Sequence, residues 1–196
     1  MKFTSTDERV FNAFCLVANE SEFRSDITMA KIAQKMGISK QAINKYYYKN
    51  VNEIINALHY YVDQEVNDKI QNFINNKSNK KNLISFLAAE ILPLLYKNRE
   101  YLYVLYGEVA DASWFKFIKK TYSPIIEPYI ANFIDCIDID SQFLASIIIK
   151  QVIAIIGEWL SSPLPENPLT FQKKFIYLML HSTSELIDMN HLSKKE

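Results

Sequence analysis

The chain has 196 residues, 49% of them hydrophobic, with only 3 Gly and 6 Pro. That is enough apolar material for a sizeable core, and it excludes a disordered or low-complexity polypeptide. Lys and Arg (22) balance Asp and Glu (22), so a uniformly basic coat for nucleic acid is excluded as well. No strong alternation of polar and apolar residues occurs, and helix is the expected secondary structure almost throughout.

The first helix is carried by Arg9-Val-Phe-Asn-Ala-Phe, with Cys15 on its apolar face. The next segment, Thr28 to Lys49, is the most informative of the chain. Thr28 is a suitable N-cap. Ile32, Ala33 and Met36 then form one apolar stripe of a short helix. Gly37 follows, suited to the left-handed conformation that ends a helix. Ser39 is a second N-cap, opening a helix that is expected to carry Ala42, Ile43 and Tyr46 or Tyr47 inward. Helix, Gly-containing turn and helix form the helix-turn-helix pattern. Five lysines and no acid lie between Thr28 and Asn50. Lys40, Gln41, Asn44 and Lys45 are expected to face outward, the lysines toward phosphates and the amides toward adenine edges. Lys31, Lys35 and Lys49 add backbone attraction. A solvated hairpin would also carry lysines, but caps, turn, spacing and charge agree on a DNA reader.

Charge is unevenly divided. Residues 1–50 hold eight basic and five acidic groups, net +3, and residues 51–196 hold fourteen and seventeen, net −3. The division expected is a DNA-binding head over 1–50 and a helical ligand-binding and dimerisation body over 51–196.

Asn50 and Glu53 form a capping-box pattern before a helix to about Asn75. A polar connection leads to a helix from Leu83 to Tyr96, with Pro93 as a kink or stop. Glu100 to Gly107 is a short tyrosine-rich helix. Asp111 or Ser113 starts another through Lys120, and Ser123-Pro124 reads as cap and first residue of a helix to Ile137. Asp140 to Leu160 is long and strongly apolar, a proline-rich loop follows to Pro168, and Thr170 to Met189 is the last helix. About nine helices result.

Nine aromatics fall between Tyr101 and Phe133. Aromatic walls with a few polar tips suit a small-molecule pocket, although such stripes also serve plain cores. Tyr103, Tyr106, Trp114, Phe117 and Tyr122 are the candidate ligand residues, with Glu158 and Glu108 as possible polar anchors. The apolar residues of the Asp140–Leu160 helix cover more than one core face requires. Ile148, Val152, Ile155 and Trp159, with Phe175 and Met179 of the last helix, are the candidate dimer contacts, and Gly157 allows close helix approach.

Residues from about Asp7 to Leu58 resemble the N-terminal domain of the TetR family of transcriptional regulators. The matching residues are the first helix, Phe23, Thr28, Ile32-Ala33, Gly37-Ile38-Ser39, Ala42-Ile43, the aromatic cluster and Asn52-Glu-Ile-Ile. The resemblance implies that Thr28, Ser39, Lys40, Gln41, Ala42, Asn44, Lys45 and Tyr46 touch DNA. It also implies that the middle of the chain binds an inducer and that the two last helices form a four-helix dimer interface. The chain departs from the pattern in three places. Asn44 stands where the family usually has Tyr, Val51 where it commonly has Lys, and the tyrosine triplet 46–48 adds a residue.

The expected function is a ligand-responsive regulator: a homodimeric repressor on a palindromic operator, released by an apolar or aromatic small molecule. Two alternatives stay open, a TetR-like co-regulator or activator acting through protein contacts, and a helical ligand-binding protein that does not bind DNA. No phosphate loop, nucleophile elbow or metal-spaced histidine pair occurs, and His59, His181 and His191 are far apart, so neither an enzyme nor a cofactor is expected. Cys15 and Cys136 are isolated, which points to reduced thiols. The start lacks a signal-peptide core, and the Ala145–Leu160 run, interrupted by Lys150, Gln151 and Glu158, is shorter than the roughly 18–20 residues of a membrane helix. A cytoplasmic protein without membrane contact is the expectation.

Overall fold

A computed structural model describes residues 3–76, 82–107, 113–131 and 139–192. Helices α1 (Ser5–Asn19), α2 (Met29–Met36) and α3 (Lys40–Tyr46) form the head, with a 3-10 turn at Arg24–Asp26. Helix α4 (Val51–Asn75) runs from the head along the body. The body adds α5 (Leu83–Phe86), α6 (Leu92–Lys97), α7 (Arg99–Tyr106), α8 (Trp114–Ala131), α9 (Ser141–Leu160), α10 (Pro168–Leu180) and α11 (Thr183–Leu192). No strand occurs among the described residues. Counting Leu83–Lys97 as one bent helix, these make ten, and the all-α expectation holds. Glu108, Asp111, Phe133, Cys136 and Ile137 lie outside the described residues.

Capping chemistry sets most boundaries. Thr4 and Asp7 close a reciprocal box at the start of α1: Asp7 N–H donates to Thr4 Oγ1 (3.3 Å) and Thr4 N–H to Asp7 Oδ2 (2.8 Å). Asn50 Oδ1 accepts from Glu53 N–H at 2.9 Å, and the Glu53 carboxylate reaches back to Lys49 N–H at 2.8 Å.

Three boundaries differ from the sequence expectation. Pro124 does not start a helix; it and Pro128 both lie inside α8. Their spacing of four residues puts them on one face, and that face is exposed. The carbonyls that the rings deprive of donors can therefore be hydrated instead of being buried unpaired. Pro93 does not stop its helix either. A π-helical turn at Leu87–Ile91 widens the backbone just before it, and the helix continues to Lys97. The last helix, conversely, breaks. His181 is extended, and Ser182 with Glu185 forms a new capping box, with Glu185 N–H donating to Ser182 Oγ at 3.2 Å and Ser182 N–H to Glu185 Oε2 at 2.6 Å.

Helix α9 has 20 residues and a mean hydropathy of 1.8, so it is long and apolar enough to cross a membrane by length and composition. Here it packs on α8, α7 and α10. Gly157 serves the close approach expected of it, and what approaches is a side chain: a Cβ there would stand 3.0 Å from the Tyr106 ring.

The core is one continuous cluster through head and body. Phe11, Phe14, Ile32, Ile43, Ile54 and Leu58 are fully buried, each contributing roughly 1.5–3 kcal/mol by removal from water. Cys15 is buried, and its thiol is pushed up to about 12, chiefly by burial and then by Glu100. Among the described residues the buried polar side chains are His59 and Asp63, four residues apart on α4. Asp63 accepts a hydrogen bond from the Tyr122 hydroxyl at 2.7 Å. Burial nevertheless raises its carboxyl from 3.8 to about 6, against the opposing pull of Tyr122 and His59.

Two stability predictions follow from these details. Gly37 has φ 70°, and a Cβ there would meet nothing within 4 Å, so Gly37→Ala costs only left-handed strain. We expect about 1–2 kcal/mol by urea unfolding; a neutral effect would contradict the turn geometry. For Asp63 the native state keeps its proton to about pH 6, whereas the unfolded chain loses it near 4. Its contribution to stability therefore falls as pH rises through that window and stays unfavourable above it. Asp63→Asn keeps an acceptor for Tyr122 and removes the charge. Relative to wild type the variant should gain about 2–3 kcal/mol between pH 4 and pH 7.5, measured by urea unfolding at both.

Candidate nucleic-acid interface and effector cavity

The two short head helices are fixed from both ends. Thr28 Oγ1 accepts from Lys31 N–H at 3.3 Å, capping α2. At its other end Gly37 adopts the left-handed conformation, and Ile38 N–H returns to the Ala33 carbonyl at 3.0 Å. Ser39 Oγ accepts from Ala42 N–H at 3.1 Å and starts α3. Ile43 anchors α3 in the core and Ala42 is half-buried. Lys40, Gln41, Asn44, Lys45 and Tyr46 are exposed. The structure thus brings the sequence-selected residues of α3 onto one outward surface, with Thr28 and Ser39 as caps at its edge.

Two details differ from expectation. Tyr46 and Tyr47 do not turn inward; they are 65% and 44% exposed. Helical geometry ends at Tyr47, whose φ and ψ are −132° and −78°, and this swings Tyr48 inward in their place. The Tyr48 hydroxyl donates to Asp7 Oδ1 at 2.7 Å. Second, Lys35 is paired with Glu20 at 2.6 Å, whereas Lys31, Lys40, Lys45 and Lys49 have no acidic partner among the described residues. Lys45 Nζ lies 5.0 Å above the Tyr46 ring. An exposed ion pair such as Lys35–Glu20 is worth at most about 1 kcal/mol, so it does not withdraw Lys35 from a polyanion.

The head is tied to the body by features that the sequence reading did not identify. Tyr61 of α4 donates to Glu8 at 2.9 Å, and Tyr101 of α7 donates to Asn12 at 2.8 Å. Together with Tyr48, three hydroxyls hold acceptors on α1. Phe3, Phe11, Tyr61 and Tyr101 form an aromatic cluster beside them, with centroids 5.3–6.4 Å apart. The available signal was the set Asp7, Glu8 and Asn12, polar positions that flank the apolar face of α1.

A cavity of about 90 Å³ lies between α4, the Leu83–Lys97 helix, α7, α8 and α9. Tyr106, Trp114 and Tyr122 line it, as expected of a pocket wall. Phe117 stands behind Trp114, stacked at 5.5 Å, and also meets His59 and Tyr60. Tyr103 and Glu158 are elsewhere. Tyr103 borders an open cleft between α1, α7 and the Ser161–Pro165 loop, and Glu158 is exposed in a groove beside Trp159 and Phe171. Most of the cavity wall is aliphatic, from Val62, Val66 and Ile70 of α4 and Ile148, Ile149, Val152, Ile153 and Ile156 of α9. Asp63 is its acidic member. A charged residue within the apolar stripe of α4 was the sequence signal for it.

The six residues selected as dimer contacts also divide. Ile148 and Val152 line the cavity. Phe175 is fully buried, and Trp159 is stacked on Phe171 at 4.3 Å while its indole N–H donates to the Glu166 carbonyl at 3.0 Å. Those four turn into the subunit because α8 and α10 flank α9. Ile155 and Met179 remain half-exposed. The exposed apolar side chains of this region include Ile147, Leu169, Tyr177 and Leu180.

No curated protein sequence matches the chain. Among solved structures, FadR of Thermus thermophilus, a TetR family transcriptional repressor in complex with lauroyl-CoA, shares the fold. Its TM-score is 0.55 at 13% identity, over 90% of this chain and 94% of that one. AlkX of Dietzia sp., a TetR family repressor implicated in biodegradation of n-alkanes, aligns at TM-score 0.45 and 18% identity, over 91% and 95%. The family model described as the transcriptional regulator C-terminal region, of TetR type, matches residues 84–181, half of the chain. With the helix-turn-helix of the head joined to that body, the chain belongs to the TetR family of transcriptional regulators.

Proposed function

We propose that the protein is a homodimeric repressor, acting in the cytoplasm, that reads a two-fold symmetric operator through α3 and releases it when a small apolar molecule binds in the body. The observation that carries the DNA reading is the outward surface of α3. Lys40, Gln41, Asn44 and Lys45 are exposed together on a helix held by a cap, a glycine turn and the buried Ile43. Lysines supply the sequence-independent attraction, and Gln41 and Asn44 can bond base edges. Lys49 stands next to the position at which Val51, half-buried against the core, departs from the family's lysine. It supports the backbone contact that Val51 cannot make.

The cavity at Tyr106, Trp114 and Tyr122 is the effector site of this reading. FadR, which has the same fold, is described with lauroyl-CoA, and this supports an apolar effector. The cavity and the head share two helices. Val62 and Asp63 line the cavity from α4, whose earlier residues Ile54 and Leu58 bury the head. Tyr106 lines it from α7, whose other end holds α1 through Tyr101. Occupancy that shifts α7 or α4 moves the head, and ligand and DNA then oppose each other reciprocally.

For the dimer the supporting surface is the outer side of α9 and α10, joined by a bond from Gln151 Nε2 to the Leu178 carbonyl at 3.3 Å. Ile147, Ala154 and Ile155 of α9 and Tyr177, Met179 and Leu180 of α10 supply its apolar groups. By light scattering, wild type should show twice the 22.9 kDa chain mass. Ile147→Lys with Ala154→Arg should shift it toward the single-chain mass, with unchanged helicity by circular dichroism. A dimer that survives both would remove this face.

The operator reading is tested by fluorescence anisotropy on the DNA flanking its own gene. Lys40→Ala with Lys45→Ala should lose at least about tenfold in affinity and lower the salt slope by about 2. Unchanged affinity would remove α3 as the reading helix. A wild-type affinity without steep salt dependence would instead favour a co-regulator working through protein contacts.

A further inference from the structure

The cavity has two chemically distinct ends. Along α4 its lining runs from Asp63 to Ile70, and along α8 from Trp114 through Tyr122 to Ile126. Asp63, Tyr106 and Trp114 mark the first end, and Tyr122 stands about one helical turn before Ile126. Asp63 accepts from the Tyr122 hydroxyl, and the Tyr106 and Trp114 rings meet edge to face at 6.1 Å. The far end, at Ile70, Leu83, Leu87 and Ile126, is wholly aliphatic.

At the polar end the Trp114 indole N–H is unsatisfied. The side chain is 2% exposed, and Nε1 has no hydrogen-bond partner among the described residues. It lies close to the Tyr106 hydroxyl without reaching bonding geometry. A buried donor left unpaired is destabilising, and a ligand oxygen at this end would relieve that cost. Asp63 adds a constraint on the ligand's charge. Above pH 6 it is ionised, and an anionic head group beside it would be repelled in a low-dielectric site. An ammonium group could pair with the carboxylate but has no lone pair to accept from Trp114, whereas a hydroxyl can accept from Trp114 and donate to the carboxylate. The volume sets the size. About 90 Å³ is smaller than the roughly 150 Å³ apolar cavity that holds the six carbons of benzene, so the occupant has about three to five non-hydrogen atoms.

We propose that this cavity takes a small, uncharged aliphatic molecule with a single hydroxyl head, a short-chain alcohol, whose oxygen accepts the Trp114 N–H and whose chain lies among the aliphatic side chains toward Ile70. The inference rests on the effector-site reading above but concerns ligand chemistry alone.

The test is calorimetric titration of the full-length protein, without DNA, at pH 7.5. The probes are 1-propanol, 1-butanol, 1-octanol, butyrate and butylammonium. The alcohols of three and four carbons should bind at least tenfold more tightly than butyrate or butylammonium, and 1-octanol should gain nothing over 1-butanol. Trp114→Phe should weaken 1-butanol at least fivefold. Should that variant fail to fold, Ile126→Trp, which fills the aliphatic end, should abolish 1-butanol binding in its place. Equal binding of butyrate, tighter binding of butylammonium, affinity rising through 1-octanol, or no alcohol binding would each overturn the proposal. Its failure is distinct from that of the regulatory reading. A chain that binds its operator but no alcohol loses only this inference, whereas one that binds alcohol without releasing DNA loses only the effector role.

Discussion

The burial of α1 is the constraint on which the rest of the structure depends. Its Phe11 and Phe14 are fully buried, and the helix packs at once on α2, α4 and α7. The first of those contacts holds the helix-turn-helix together, and the other two fix where the head sits on the body. Short helices such as α2 and α3 are too short to be stable alone in water. They persist because Ile32, Ala33 and Ile43 close onto the same apolar core as α1. The surface formed by Lys40, Gln41, Asn44 and Lys45 is therefore a consequence of packing on its opposite side.

How much of this was legible from the residues depends on how local each determinant is. Thr28, Gly37 and Ser39 act through bonds to residues one to four positions away, so the two short helices and their turn could be read directly. The same holds for Asn50 with Glu53 and for Ser182 with Glu185, although an apolar periodicity runs on past the second box and masks it. The general rule that proline opens a helix predicts a start at Pro124, which instead lies with Pro128 inside α8. Whether an interior proline is tolerated depends on which face it occupies, and that is decided by how α8 packs on α4 and α9. Periodicity alone carries no such information.

The cavity shows the same limit more sharply. Aromatic density between Tyr101 and Phe133 suggested a pocket wall, and Tyr106, Trp114 and Tyr122 do line a cavity. Yet Asp63, the group that restricts its charge, meets Tyr122 from 59 residues away. Its neighbours along α4 identify it only as a polar residue out of place. Surplus apolar surface on α9 was likewise visible, but its division was not. One side of the helix closes the cavity through Ile148 and Val152 and buries Trp159, and the other leaves Ile147 and Ala154 outside. An apolar helix flanked on several sides does not announce which neighbour belongs to its own subunit.

Two of the three tyrosine hydroxyls bonded to α1, those of Tyr61 and Tyr101, come from the body and bear on how strongly body and head can be coupled. A switch of this kind needs about 1–3 kcal/mol of coupling between its sites. A hydrogen bond to a neutral acceptor is worth about 0.5–1.5 kcal/mol net, and one to a charged acceptor about 1.5–3. Tyr101 to Asn12 is of the first kind, Tyr48 to Asp7 and Tyr61 to Glu8 of the second. Exposure reduces the value of the Glu8 bond. Loss or gain of the α7 contact alone therefore reaches the lower part of the range, without any rearrangement of the apolar core. Helix α7 spans eight residues, about 12 Å, with Tyr101 near its start and Tyr106 at its end. It is short enough to move as a rigid piece, and its two tyrosines place the cavity and the head at opposite ends of the same lever.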